Sequence, residues 1–358
     1  MSNTQTLSNT ETDSLNNSYF IKACRGEPVK KIPIWLMRQA GRYLPEYQKV
    51  RKGVTFLELC RSPELATEAT VSAQERLNVD AAIIFSDILV PLVPMGLDLD
   101  FHEQKGPVIS NPIRLPNDLE RLSFDKITDK CPFLFEAIKQ TRKRLQNHIP
   151  LIGFAGAPFT LASYMIEGKS SKNFIATKIL MHDYPEAWHT LMTHLSDVLI
   201  TYLNKQIEAG CQAVQLFDSW VGQCCRNTFL EKVAPYTKKI ISGLTKNVPV
   251  IYFGTHTSHL IDDMITCGET VIGIDTQTDI AKVMSKYKGN IAFQGNFDPI
   301  LLFASKKTII ETTTNLLNNV GHIPGYIFNL GHGILPETPV DHVLTLIDTI
   351  NDWSASHL

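Results

Sequence analysis

Ile32-Pro33-Ile34-Trp35-Leu36-Met37 is an unbroken apolar run that ends abruptly on Arg38-Gln39-Ala40-Gly41-Arg42. A short apolar run without polar alternation fits a strand buried on both faces, as in a parallel sheet covered by helices. The end of the run is as informative as the run itself. Two arginines lie four residues apart, with Arg51 shortly after, so guanidinium groups cluster where the strand leaves the core. A guanidinium is always charged, and its planar fork grips a carboxylate or phosphate through two hydrogen bonds. The cluster therefore reads as an anion-binding wall at the mouth of a core.

Seven further runs of this kind follow, at residues 81–85, 151–155, 213–217, 250–253, 271–274, 291–293 and 326–330. Helical patterns lie between them. Ser62-Pro63-Glu64 is a helix start: an N-cap Ser, Pro at the first helical position and an acid in the first turn, with a pattern running to about Leu77. Another pattern runs from about Tyr184 to Ala209 and stops at Gly210, a natural C-cap. Thr338-Pro339 is expected to cap the last helix. Strand and helix alternating about eight times predict an α/β protein, a single (β/α)8 TIM-type barrel with a deep cleft at the C-terminal ends of its strands. A doubly wound open sheet is the structural alternative, but no G-x-G-x-x-G follows an early strand, so a dinucleotide fold lacks its fingerprint. No internal repeat or Pro/Gly/Ser-rich linker divides the chain. Residues 1–18 are Ser/Thr/Asn-rich with neither a basic n-region nor an apolar core, and read as a disordered tail rather than a signal peptide. That leaves 19–358 as one barrel.

The bulk numbers exclude several classes. Net charge is −2 over 358 residues, so there is no global basic field for nucleic acid or a membrane surface. Anion binding must come from a local cluster, which raises the weight of the arginines. The seven cysteines are odd in number and scattered, with no C-x-x-C, which points to reduced thiols rather than a disulfide framework or a structural zinc site. No apolar run is long enough to cross a bilayer, and a cytoplasmic location is expected.

A barrel builds its site where strands end. Those positions carry Arg38 and Arg42, Ser86-Asp87, Gly156-Ala157-Pro158 leading to Tyr164, Asp218-Ser219-Trp220, Thr255-His256, Asp275-Thr276, Gly295-Asn296-Phe297-Asp298 and Gly331-His332-Gly333. Each has a plainer reading. Arg38 and Arg42 could pair with Glu46 or Glu58 as a surface network. Asp87 could simply cap a helix start, although a lone acid among apolar neighbours needs a cationic or N–H partner. Tyr164 and Ser219 could satisfy local hydrogen bonds. His332 between two glycines is unlike a packed core histidine, because glycine lets a backbone or ligand approach closely. His256 and His259 lie three apart, but no third ligand stands at metal spacing.

These residues resemble the uroporphyrinogen decarboxylase family. The resemblance rests on Pro33 through Tyr47, which is similar to the family's N-terminal signature, and on Gly153 through Gly168, similar to its second signature. It also rests on Phe85-Ser86-Asp87-Ile88-Leu89, Phe217-Asp218-Ser219-Trp220, Gln294-Gly295-Asn296-Phe297-Asp298-Pro299 and Asn329-Leu330-Gly331-His332-Gly333-Ile334. It spans about Tyr19 to Thr349. Phe159 and Phe297 stand where relatives often carry Trp and Leu.

The resemblance implies a barrel carboxy-lyase, usually a homodimer, without metal or organic cofactor. Its substrate would be uroporphyrinogen, whose four acetate side chains become methyl groups in haem biosynthesis. It also implies the site residues: Arg38, Gln39, Ala40, Gly41, Arg42, Asp87, Tyr164, Ser219 and His332 bind substrate, and Arg51 is added as a further carboxylate partner. Asp87 is the expected transition-state stabiliser at the pyrrole N–H groups, and Arg38 a candidate proton donor. Two rivals remain open: a zinc-dependent corrinoid methyltransferase of the same fold, whose His-x-Cys pattern is absent here, and a non-catalytic tetrapyrrole carrier.

Overall fold

The computed structural model of the chain describes residues 9–102, 106–287 and 289–358. Seven of the eight apolar runs supply the strands of one parallel sheet. In chain order the strands are β1 (Ala82–Ile83), β2 (Leu99–His102), β3 (Gly106–Ile109), β4 (Leu151–Gly156), β5 (Ala213–Asp218), β6 (Val250–Gly254), β7 (Val271–Gly273), β8 (Ala292–Gln294) and β9 (Tyr326–Ile327). The main sheet has the order β1-β4-β5-β6-β7-β8-β9, and every pairing is parallel. β4 and β6 are buried along their whole length, as the unalternating runs predicted. β2 and β3 form a separate antiparallel ribbon after Asp87 that the hydrophobic pattern did not reveal.

The eighth run, residues 32–37, joins the two edges of this sheet. On one side Ile34 bridges Phe328 in parallel, and the Phe328 N–H donates to Pro33 O at 2.9 Å. On the other side the Asp80 N–H donates to Ile34 O at 2.8 Å. The segment forms bridges rather than a full ladder for a local reason. Pro33 has no N–H. Four other amides are taken by side chains: Ile32 N by Ser354 Oγ, Ile34 N by Asp80 Oδ2, Leu36 N by Gln39 Oε1 and Met37 N by Asn329 Oδ1, all between 2.9 and 3.2 Å.

Helices cover the outside. Ser62 caps the helix Pro63–Leu77, and the helix Pro185–Ala209 stops at Gly210, where φ is +125°. Thr338 does not cap the last helix, Val340–His357: the cap position is Pro339, and the Thr338 hydroxyl is buried without a partner. The tail expected over 1–18 falls partly on residues 1–8, outside the described residues. Asn9–Asn16 within it is helical, and Ser18 caps the helix Tyr19–Cys24.

The barrel interior is not wholly apolar. Trp35 Nε1 donates to Gln294 Oε1 at 2.7 Å, and Gln294 Nε2 donates to Gln215 Oε1 at 3.2 Å. All three side chains are buried. This chain of bonds crosses the interior from the first run to β8 and β5, directly beneath the turn that carries Arg38.

Candidate active site

Arg38 stands one residue past the first run, with φ of +65°. A non-glycine residue in this left-handed region needs its surroundings to hold it there. Gln39 supplies much of that hold. Its Oε1 accepts from Leu36 N, its Nε2 donates to Ala81 O at 3.3 Å, and its carbonyl accepts from the Tyr43 hydroxyl at 2.9 Å. The Gln39 side chain is buried and committed to the turn. Ala40 is half-buried, and a Cβ at Gly41 would lie 2.8 Å from Arg38 O, so the turn closes tightly there.

The surface network allowed by the sequence does not form. Glu46 pairs with Arg76 at 3.6 Å, and Glu58 accepts from Thr55 N at 2.6 Å to cap its own helix. Arg38 and Arg42 are exposed and make no ion pair with any described carboxylate. Arg51 is half-buried and hydrogen-bonds Tyr47, and its charge, like that of Asp87, reaches the buried Cys60 thiol.

Asp87 follows β1 on a turn before the ribbon. Its Oδ1 accepts from Leu89 N at 2.8 Å, so the capping reading accounts for one oxygen. Oδ2 accepts no hydrogen bond from any described residue. Desolvation raises the carboxyl to a pKa of about 6, while the Leu89 N–H and the Arg38 charge oppose the rise. At neutral pH it is an anion, held in a place that disfavours anions, with half its acceptor capacity unused.

Tyr164 projects from the helix Pro158–Glu167 and stacks on Trp220, with ring centroids 3.9 Å apart. Trp220 is in turn edge-packed by Phe174 at 5.0 Å. Burial raises the Tyr164 phenol first of all; the Asp87 charge adds to the rise and Arg38 opposes it, which places the three groups in one electrostatic neighbourhood. Ser219 follows β5, and its carbonyl accepts from Thr255 Oγ1 at 2.5 Å, while its hydroxyl has no described partner.

His332 is exposed at the end of the β9 segment. Desolvation lowers its pKa, and Arg38 and His256 lower it further; a hydrogen bond with the Gly333 backbone and the Asp275 charge pull the other way. The two glycines beside it do admit close neighbours, but these are protein atoms. A Cβ at Gly331 would lie 2.5 Å from Thr276 N. One at Gly333 would lie 2.5 Å from Arg38 Cδ and 2.8 Å from its Cγ. Ile334 N also donates to Met37 O at 3.0 Å, so the His332 loop is laced to the Arg38 turn.

The structure thus gathers Arg38, Asp87, Tyr164 and His332, with Arg42 exposed on the Arg38 turn and Arg51 held at Tyr47. Sequence reasoning missed Trp220 as the backing for Tyr164, Asn329 as the clamp on Met37, and Gly333 as the seat of Arg38. The Asn-Leu-Gly-His-Gly string was visible, but its partners lie hundreds of positions away. His256 Nδ1 is bonded to Gln277 Oε1 at 2.9 Å and His259 Nε2 to Cys224 O at 2.8 Å. No group of three His, Cys, Asp or Glu side chains among the described residues could hold a metal ion.

An unpaired guanidinium beside one desolvated carboxylate, at the strand ends of a parallel α/β barrel, is the equipment of an enzyme site that can bind an anion. The chain belongs to the uroporphyrinogen decarboxylase family, whose model matches residues 15–353. It is 46% identical to uroporphyrinogen decarboxylase from Citrifermentans bemidjiense, over 94% of this chain and 99% of that protein. It is 44% identical to the enzyme of that name from Pelobacter propionicus, over 95% of this chain and 100% of that one. Among solved structures, a methyltransferase from Methanosarcina mazei superposes with a TM-score of 0.79 over 93% of this chain and 97% of that one, at 19% identity. A B12-independent methionine synthase from Shewanella does so at 0.54 and 10% identity, over 91% and 95%. At such identities the likeness extends to the fold alone.

Proposed function

We propose that this protein is a carboxy-lyase that converts the four acetate side chains of uroporphyrinogen III to methyl groups, giving coproporphyrinogen III and four molecules of carbon dioxide. The observation that carries the reading is the free Oδ2 of Asp87 beside the unpaired Arg38. The substrate has eight carboxylates, which need cations, and four pyrrole N–H groups, which need one central acceptor. Arg38, Arg42, Arg51 and His332 take carboxylates; Tyr164 and Ser219 donate hydrogen bonds that fix orientation. The Ala40 and Gly41 backbone lines the same turn, held by Gln39.

Decarboxylation leaves an electron pair that needs a sink, and the substrate supplies it. Protonating a pyrrole α-carbon gives an iminium-like cation. The bond to the acetate carboxylate breaks, its electrons neutralise the cation, and carbon dioxide departs. The exocyclic carbon then takes a proton to become methyl, and the α-carbon proton is lost as the ring regains aromaticity. The net uptake is one proton for each carbon dioxide released. Asp87 stands as a preorganised anion beside the transient cation, the arrangement that yields the largest electrostatic gains in active sites. Arg38, whose charge reaches Asp87, is one candidate for proton delivery, with water or a substrate carboxyl as the competing donors.

Residues 19–358 act on this reading as one catalytic domain, in a homodimer located in the cytoplasm. No described helix is long and apolar enough to cross a membrane. The decisive experiment incubates the protein with uroporphyrinogen III without oxygen, oxidises the products and separates the porphyrins by carboxylate number. Tetracarboxylic product supports the reading. Unchanged octacarboxylic material would leave a tetrapyrrole carrier. The methyltransferase alternative has less support, because its solved likeness reaches only the fold and the two candidate histidines are bonded to Gln277 and a backbone carbonyl. Stoichiometric zinc in the purified protein would revive it.

A further inference from the structure

We propose that His256 is a further substrate-binding residue, a carboxylate-gripping imidazole that faces Arg38 and His332 across the barrel mouth. The inference rests on the reading of a polycarboxylate substrate and extends the set of cations that hold it. His256 sits two residues past β6, on the same end of the sheet as Arg38, Asp87 and His332. It is exposed, and it lies close enough to His332 to disfavour protonation there.

A left-handed turn held by two contacts fixes His256 in place. Its backbone has φ of +58°, a conformation few non-glycine residues adopt. Its N–H donates to Asp275 Oδ2 at 2.5 Å. Asp275 is itself buried and tied by its other oxygen to Gln277 N and Thr278 Oγ1, both at 3.2 Å. On the far side Gly222 lets the adjoining loop pack against this one, since a Cβ there would lie 2.5 Å from His256 O. An incidental surface histidine has no need of a turn held from both sides.

The ring is held as well. Gln277 Oε1 only accepts, so the 2.9 Å contact makes His256 Nδ1 the donor and leaves Nε2 outward. As an imidazolium the ring keeps its Nδ1–H bond to Gln277 while Nε2–H donates a charge-assisted bond to a substrate carboxylate. This matches an accounting need. Eight substrate carboxylates meet three guanidinium groups, one of which is turned toward Tyr47.

The test uses the full-length protein with His256→Asn, because Asn tolerates the left-handed backbone and keeps the N–H that Asp275 holds. A second variant, Gln277→Leu, removes the acceptor that orients the ring. Expected for His256→Asn is about a tenfold rise in KM for uroporphyrinogen with kcat within about twofold, the scale of one lost charge-assisted hydrogen bond, and a smaller change in the same direction for Gln277→Leu. KM within twofold of wild type in both variants, or a fall in kcat alone, overturns the proposal. Binding of uroporphyrin followed by its fluorescence gives a readout without turnover. If wild type binds but does not decarboxylate, the functional reading fails, and loss of porphyrin affinity in His256→Asn still decides the role of His256.

Discussion

Asp87 and Asp218 are alike in their raised carboxyl pKa and differ in what surrounds their oxygens. Both stand at the C-terminal end of the main sheet, and desolvation raises both to a pKa of about 6. Asp218 ends β5 on the side that faces the helices. Thr160 Oγ1 donates to its Oδ1 at 2.7 Å and the Tyr252 hydroxyl to its Oδ2 at 2.8 Å. Asp87 has one backbone donor and one bare oxygen. A perturbed carboxyl is therefore no mark of a site by itself. Unused acceptor capacity at the C-terminal strand ends is the better mark, because a barrel builds its site there and a catalytic acid waits for its partner.

The largest effect should separate these two residues. Asp87→Asn keeps the shape and removes the charge, and kcat should fall by about 10²–10³, the scale of losing one preorganised electrostatic partner. Unfolding stability should not drop, since burial penalises the anion. In wild type the anion is lost as pH falls through about 6, so kcat/KM should decline on the acid side of that value. Near-normal turnover in the Asn variant would remove the stabiliser role.

A third carboxylate at the opposite end of the sheet sharpens the contrast. Glu269 precedes β7, is buried, and has no hydrogen-bond partner at either oxygen. Desolvation raises it to about 8, opposed by the nearness of its own backbone amide and by the Lys238 charge. A free Glu ionises near 4.5, so between 4.5 and about 8 the unfolded chain has lost a proton that the folded chain keeps. Stability then falls as pH rises through this window and levels off above it. Glu269→Gln removes that slope. Its Tm should match wild type near pH 5 and exceed it at pH 9, with a relative gain on the order of 4 kcal/mol. Parallel pH profiles would show that Glu269 is solvated or paired. Activity at fixed pH should not change, because this end of the barrel holds none of the site residues.

Asp218→Asn should give the reverse of the Asp87 result. It disturbs two hydroxyl donors in a packed layer, at a cost of about 1–3 kcal/mol in unfolding, with kcat little changed. A large loss of kcat at unchanged Tm would mean that Ser219 and Trp220, which follow Asp218, need its charge.

Much of this arrangement was legible in the chain. Continuous apolar runs made the parallel sheet readable, and the polar residue ending each run located the mouth. Asp87 stood out as a lone acid between Phe85 and Leu89. What stayed hidden depends on pairs remote in sequence. Residues 32–37 read as an ordinary strand, yet Asp80, Asn329 and Ser354 take the amides that a ladder would use. Gln39 read as a binding residue, but its side chain holds the turn. The glycines around His332 promised close approach, and only the fold showed that Arg38 is what approaches.

The smallest effect expected here concerns that seat. The Arg38 stem lies over Gly333 where no side chain fits, so the glycine sets how far the guanidinium reaches from its turn. Gly333→Ala should push the stem aside by several tenths of an ångström or more and raise KM by about tenfold, the equivalent of about 1.4 kcal/mol, with a modest loss in Tm. The same substitution made in Arg38→Ala should cost almost nothing in Tm, because the clashing stem is gone. A double-mutant cycle isolates that coupling. Equal cost in both backgrounds would show that Gly333 serves the His332 loop instead. Arg38→Lys tests the other half of the idea: it keeps the charge and loses the two-pronged grip, so KM should rise even with Gly333 in place. If Lys at 38 behaves as wild type, the arrangement supplies charge alone, and the mouth discriminates carboxylates by field rather than by geometry.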